Sequence, residues 1–202
     1  MKLFYSKGAC SLAIRILLNE MGIPAEYEAV NLQTKKTEDG SDFLRINPKG
    51  AVPTLRLENK DVLTENAVIM QYLADHYQAT NLLPPAGDWQ RYRVLEWLNF
   101  ITTELHKGFS PFFNPVIPQE VKEHVFTPAI MRKFQYVEQS LQDKTYLMGK
   151  HFTLPDAYLF VILRWARAKL DMSSFPNLAT YHAQLQSRKS ITEALKQEGL
   201  DA

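Results

Sequence analysis

Residues 53–77 read PTLRLENKDVLTENAVIMQYLADHY. Pro53 to Leu57 and Val62 to Thr64 are short apolar runs on either side of Asn59-Lys60-Asp61, a turn-forming tripeptide, so together they predict a β-hairpin. At Glu65 the period changes. Ala67, Met70, Leu73 and Ala74 fall on one face at helical spacing, which predicts a helix from Glu65 to Tyr77. Toward the amino end, Tyr27 to Leu32 reads as a strand and the polar stretch Thr34 to Ser41 as a loop. Leu12 to Met21 reads as a helix that Ser11 can cap and Gly22 stops, with Pro24 just beyond. Leu3-Phe4-Tyr5 is a further short strand.

The order is β-α-β, then β-β-α, over residues 1–79, which resembles the split plan of a thioredoxin-like domain. Residues 80–88 (TNLLPPAGD) read as a linker. Residues 89–202 carry helical signals, so the predicted fold is α/β plus all-α. In residues 89–109, Val94, Leu98, Ile101, Leu105 and Phe109 form one stripe, and Pro111, Pro115 and Pro118 are expected to end that helix. A further helical stretch to about Leu141 is interrupted by Pro128, which suits the first position of a fresh helix after Thr127. Thr153-Leu-Pro-Asp156 has the form of a capping box, which makes Thr153 and Asp156 structural. The helix it opens is apolar on all sides and so is expected at the centre of a bundle. Two shorter helices follow Pro176 and Ser190.

Composition bounds the function. The chain has 202 residues, 46 % apolar and 22 % charged, with 23 Lys plus Arg against 22 Asp plus Glu. A net charge of +1 gives no basic excess for a nucleic acid or an anionic membrane surface, so neither is expected as a partner. One cysteine, Cys10, excludes an intrachain disulfide and a Cys-x-x-Cys redox pair. His76, His106, His124, His151 and His182 show no ligand spacing, so no metal is expected. There is no glycine-rich phosphate loop. Lys7 and Arg15 interrupt the amino-terminal apolar runs, and Ala157 to Leu163 is the longest elsewhere. Neither a secretory signal nor a membrane span is expected, and a cytoplasmic location, which suits a free thiol, follows.

Four places could carry chemistry. Cys10 directly precedes a helix, whose free N–H groups and dipole would favour a thiolate, with Lys7 in support; it could equally be an inert apolar filler. Pro53 would be cis in a thioredoxin-like context, leaving the Val52 backbone to pair with an extended peptide; an ordinary trans edge proline is the other reading. Glu65 and Asn66 open a helix and could hold an amine and a carboxylate, or simply cap. Asn99, Thr103 and His106 lie opposite the apolar stripe with Lys107 beside them, as a site or as a solvated face.

Several stretches, in order, resemble bacterial beta-class glutathione transferases: MKLFYSKGACSLA (1–13), NPKGAVP (47–53), LTE (63–65), IMQYLAD (69–75), EWLNFITTELHKGF (96–109) and FTLPDAYLF (152–160). The resemblance implies a homodimeric enzyme that joins the thiol of glutathione, its co-substrate, to a hydrophobic electrophile, with no tightly bound cofactor. It implies that Cys10 and His106 stand beside the glutathione sulfur and that the Val52 backbone pairs with the cysteinyl residue. It places Glu65 and Asn66 at the γ-glutamyl end and Lys35 at the glycyl end. Asn99 would reach across the dimer, with Thr103 its neighbour, and Tyr5, Ser11 and Lys107 are assisting candidates. Phe109, Phe112, Phe113, Tyr158 and Trp165 would line the electrophile pocket. Thiol transfer through a Cys10–glutathione disulfide is a related activity, and a non-catalytic binding or regulatory protein is the alternative. Asn66 stands where the family often has Ser or Gly, and Pro128 falls inside a family helix.

Overall fold

The computed structural model describes residues 1–201. The chain forms two compact units: Met1–Ala79 with Gln186–Ala202, and Thr80–Leu185. This corrects the expected division, which placed everything after residue 88 in one helical domain.

The first unit is built on a five-stranded sheet in the order β3-β2-β1-β4-β5. Its strands are β1 (Lys2–Tyr5), β2 (Glu26–Asn31), β3 (Lys36–Thr37), β4 (Thr54–Arg56) and β5 (Val62–Thr64). β3 lies in the stretch expected to be loop. β1 pairs parallel with β2 and antiparallel with β4, Leu3 facing Tyr27 and Leu55. β4 and β5 form the predicted hairpin. Successive strand side chains point to opposite faces. Leu3 and Phe4 are both fully buried, so the sheet is covered on both sides. α1 (Leu12–Met21) buries seven consecutive residues, Leu12 to Leu18, and ends at Gly22, where φ is 66° and the backbone closes the turn. α2 (Asn66–His76) buries Ile69, Met70, Leu73 and Ala74.

The last helix of the chain, α9 (Lys189–Gln197), packs on α1. Its buried residues Ile191, Ala194 and Leu195 need an apolar partner, and α1 supplies one. Polar ties flank them. Asn19 donates to the Ser190 carbonyl at 3.3 Å, and the Ser190 hydroxyl donates to Glu20 at 2.6 Å. Arg188 Nε donates to Glu20 at 2.8 Å, and buried Arg15 donates to Glu198 at 3.1 Å. These contacts are the physical reason that the carboxyl end belongs to the first unit.

The second unit is helical. α3 (Trp89–Phe100) starts at Asp88, which accepts from the Gln90 N–H at 2.8 Å, and runs on into a π-helical turn, Ile101–His106. Val94, Leu98, Ile101, Leu105 and Phe109 are all buried, as the stripe predicted. Pro111 does not end the helical path; it sits in the first turn of a short α4 (Ser110–Phe113), where its missing N–H has no partner to lose. A short α5 (Gln119–Val121) leads through a second π-helical stretch to α6 (Thr127–Ser140), with Pro128 in its first turn. α7 (Leu154–Lys169) is buried without a break from Leu154 to Leu163, as a bundle centre should be. Its capping box is present: Asp156 Oδ2 accepts from the Thr153 N–H at 2.7 Å. Buried Glu138 accepts from the N–H groups of Asn177 and Leu178, at 2.9 and 2.8 Å, at the start of α8 (Pro176–Gln186). No helix among the described residues is long and apolar enough to cross a membrane.

His182 on α8 is buried and stacks on Phe160 with ring centroids 5.2 Å apart. Burial pulls its pKa down to about 4, with Arg167 and Arg164 adding to the effect. The folded ring is therefore neutral where the unfolded one begins to charge. Stability is complete above about pH 6.5 and falls as the unfolded state takes up its proton, down to about pH 4. His182 should contribute on the order of 2–3 kcal/mol of that loss. His182→Gln is expected to flatten the fall of urea midpoint between pH 7 and 4; an unchanged slope would refute this.

Candidate functional site

In the first unit three predicted residues come together. Cys10 precedes α1 and is 7 % exposed. Its thiol donates to the Val52 carbonyl at 3.3 Å, and its own carbonyl accepts from Asn66 Nδ2 at 3.1 Å. The Val52–Pro53 bond is cis. Asn66 is the first residue of α2 rather than its cap, and its Oδ1 is buried without a hydrogen-bond partner. The side chain holds the Cys10 loop instead of capping. Glu65 precedes it with a positive φ of 72° and an exposed carboxylate that makes no cap.

The electrostatics of Cys10 differ from those of a helix-activated thiolate. Burial pushes its pKa up to about 12, against the pull of the Cys10 and Ser11 backbone N–H groups, and the Glu65 charge pushes the same way. In this state Cys10 is a protonated thiol and a hydrogen-bond donor.

Other predicted residues have local partners. Lys35 donates to the Gly50 carbonyl at 2.8 Å and so braces the loop that carries Val52. Ser11 does not cap α1: its hydroxyl accepts from the Ser6 N–H at 3.2 Å and donates to the Ser6 carbonyl at 3.3 Å. Tyr5 packs with Tyr27 around the Arg15 guanidinium, which lies 4.4 Å from the Tyr5 ring centre. Sequence reasoning missed Lys49, which donates to Thr64 Oγ1 at 2.9 Å and pairs with Glu65 at 2.7 Å. Its signal was its place in the NPKGAVP motif, two residues before the Ala51-Val52-Pro53 turn.

In the second unit the predicted face divides. Asn99 and Thr103 are exposed, with the Thr103 hydroxyl donating back to the Asn99 carbonyl at 3.1 Å. Periodicity of 3.6 placed His106 with them. The π-helical turn is wider, with i→i+5 bonding, and it changes the phase by the time the chain reaches residue 106. The His106 ring instead meets α7: Nδ1 lies 2.5 Å from Tyr158 Oη, and the ring lies edge-on to Trp165 at 5.1 Å. Burial, then the Lys107 charge, pulls its pKa down to about 4, so it is neutral at pH 7. Lys107 itself is exposed. Phe109 touches Phe112, Phe113 and Trp165, with centroids 5.6, 6.3 and 5.8 Å apart, so four of the five predicted wall residues form one cluster, while Tyr158 is fully buried and its ring meets His106. Among the described residues no group of His, Cys, Asp and Glu could hold a metal ion.

A thioredoxin-like unit followed by a helical unit is the arrangement that the sequence resemblance implied. Known families agree with that reading. Residues 8–76 match the glutathione S-transferase N-terminal domain and residues 100–189 the C-terminal domain. Glutathione S-transferase GstA of Escherichia coli O157:H7 is 45 % identical, covering 99 % of this chain and all of the relative. A bacterial beta-class glutathione S-transferase from Sphingomonas chungbukensis superposes with a TM-score of 0.95 at 42 % identity, over 100 % of both chains. A sphingomonad glutathione S-transferase complexed with glutathione gives 0.93 at 40 %, also over 100 % of both. The chain belongs to the glutathione S-transferase family. It is a glutathione transferase, with glutathione as co-substrate.

Proposed function

We propose that this enzyme, as a cytoplasmic homodimer, conjugates glutathione to hydrophobic electrophiles at a site made by Cys10, Lys35, Val52, Glu65, Asn66, Asn99, Thr103 and His106. The single observation that carries the reading is the convergence of Cys10, Val52 and Asn66, linked to one another by two hydrogen bonds. Glutathione is an extended peptide with an ammonium at one end and a carboxylate at each end. The Val52 backbone suits its peptide edge, Glu65 its ammonium, the start of α2 its γ-glutamyl carboxylate and Lys35 its glycyl carboxylate. The reaction is RX + GSH giving RSG + HX: the sulfur displaces X, and the thiol proton leaves with it. The protein holds the thiol and places the electrophile, a task of orientation and charge stabilisation. The aromatic cluster of Phe109, Phe112, Phe113 and Trp165 supplies an apolar wall for the electrophile. Tyr5, Ser11 and Lys107 are left as supporting residues.

Support for the dimer lies on α3. Trp89 and Tyr92 are 69 % and 54 % exposed and continue, at helical spacing, toward exposed Asn99 and Thr103. A monomer by light scattering would undo the cross-subunit role of Asn99. The lone cysteine also permits thiol transfer. Cys10 must first give up its thiol proton; its sulfur then attacks the glutathionyl sulfur of G–S–S–R and releases RS⁻, which takes up a proton, and a second glutathione thiolate displaces Cys10, giving GSSG.

Turnover of an aryl halide and of a glutathione mixed disulfide separates the roles. Because Cys10 is a buried donor, Cys10→Ala should slow conjugation by only about tenfold while abolishing disulfide reduction. His106→Ala should slow conjugation by roughly a hundredfold. A wild type that binds no glutathione would defeat both activities.

A further inference from the structure

Tyr158 sits in the middle of α7, fully buried. Trp165 stands seven residues on, two helical turns along the same face. Both rings meet His106 edge-on, at 5.8 and 5.1 Å between centroids, so a single buried helix fixes the plane of the imidazole. The phenol oxygen is 2.5 Å from Nδ1, a contact between two neutral groups that needs one proton between them. A phenol O–H is the better donor of the pair and an imidazole nitrogen the better acceptor, as their ordinary pKa values of about 10 and 6.5 reflect.

We propose that Tyr158 is a positioning residue for the transfer reaction: its hydroxyl donates to Nδ1 of His106 and so fixes the neutral tautomer that carries its proton on Nε2. The inference rests on the reading that His106 stands beside the glutathione sulfur. It specifies what the histidine does there. A ring protonated on Nε2 and occupied at Nδ1 presents only an N–H. It stabilises a thiolate by donating a hydrogen bond, and it has no free lone pair with which to remove the thiol proton. Burial keeps the ring neutral at pH 7, so a second proton does not erase the distinction between the two nitrogens.

Two measurements on the full chain test this. In the wild type, a long-range 15N–1H correlation spectrum of the histidines should show His106 neutral with its proton on Nε2. A proton on Nδ1 overturns the proposal whatever the enzyme's activity. In Tyr158→Phe the ring contacts persist and only the hydroxyl is lost. The spectrum should change to a mixture of tautomers, and kcat for aryl-halide conjugation should fall about tenfold with KM for glutathione within about twofold. An unchanged tautomer, or an unchanged kcat, overturns it. A wild type with the Nε2 tautomer but no glutathione turnover would instead sink the reading of His106 on which the inference rests. If Tyr158→Phe fails to fold, the wild-type spectrum still decides.

Discussion

Glu198→Ala is expected to destabilise the protein by about 3–5 kcal/mol. Arg15 and Glu198 are 3 % and 0 % exposed at the side chain, and their Nε and Oε1 atoms lie 3.1 Å apart. The same carboxylate accepts from the Gly8 N–H at 2.8 Å through its other oxygen. The Arg15 guanidinium lies 3.7 Å from the centre of the Tyr27 ring, and its Nη2 atom has no hydrogen-bond partner. Alanine at 198 would leave a buried cation with two aromatic faces and no counter-charge, and would remove the carboxylate that accepts from the Gly8 N–H. Replacing both partners, as in Arg15→Met with Glu198→Leu, should recover much of the loss, because no charge then stays buried. Urea unfolding of the three proteins decides the matter. A Glu198→Ala midpoint equal to wild type would show that the pair contributes nothing. Gly8 is two residues from Cys10, so glutathione turnover should fall with the single variant even where it stays folded.

Asp156→Ala should cost about 4 kcal/mol in the second unit. The carboxylate is wholly buried and its two oxygens accept four hydrogen bonds. Thr153 gives two, at 2.7 and 2.8 Å; the Leu147 N–H gives one at 2.9 Å; the Tyr181 hydroxyl gives one at 2.6 Å. All four donors would lose their acceptor inside the protein. Asp156→Asn keeps the volume but turns one oxygen into an NH2 group that faces donors, so it should recover little. Recovery of wild-type stability by asparagine would show that shape, not acceptance, is what the site needs.

The local plan of the fold was legible because it is written in short-range chemistry. The Asn59-Lys60-Asp61 turn, Gly22 after α1, the Thr153–Asp156 box and the apolar run of α7 each specify their own backbone. What escaped was decided at long range or by small changes of pitch. Nothing near Ile191, Ala194 and Leu195 says that α1, over 170 residues earlier, is their partner. His106 lies on a helix whose period switches within six residues, so a fixed 3.6 spacing assigned it to the wrong face. Cys10 was legible as a position and not as a charge state: the helix start favours a thiolate, and burial outweighs it. Ser11 has a capping residue's identity, yet Ser6 competes for its hydroxyl. Lys49 was overlooked because it pairs with Glu65 across a hairpin that residue spacing does not measure.

The joining of α9 to the first unit has a consequence for biosynthesis. The helical unit, Thr80–Leu185, is one continuous stretch of chain, whereas the first unit is interrupted by it. Translation therefore supplies every residue of the second unit before it supplies the strap that finishes the first. The bond from Gly8 to Glu198 spans 190 positions and can form only after the whole second unit has been made. A premature stop near residue 188 would spare the helices of the second unit and strike the loop that presents Cys10.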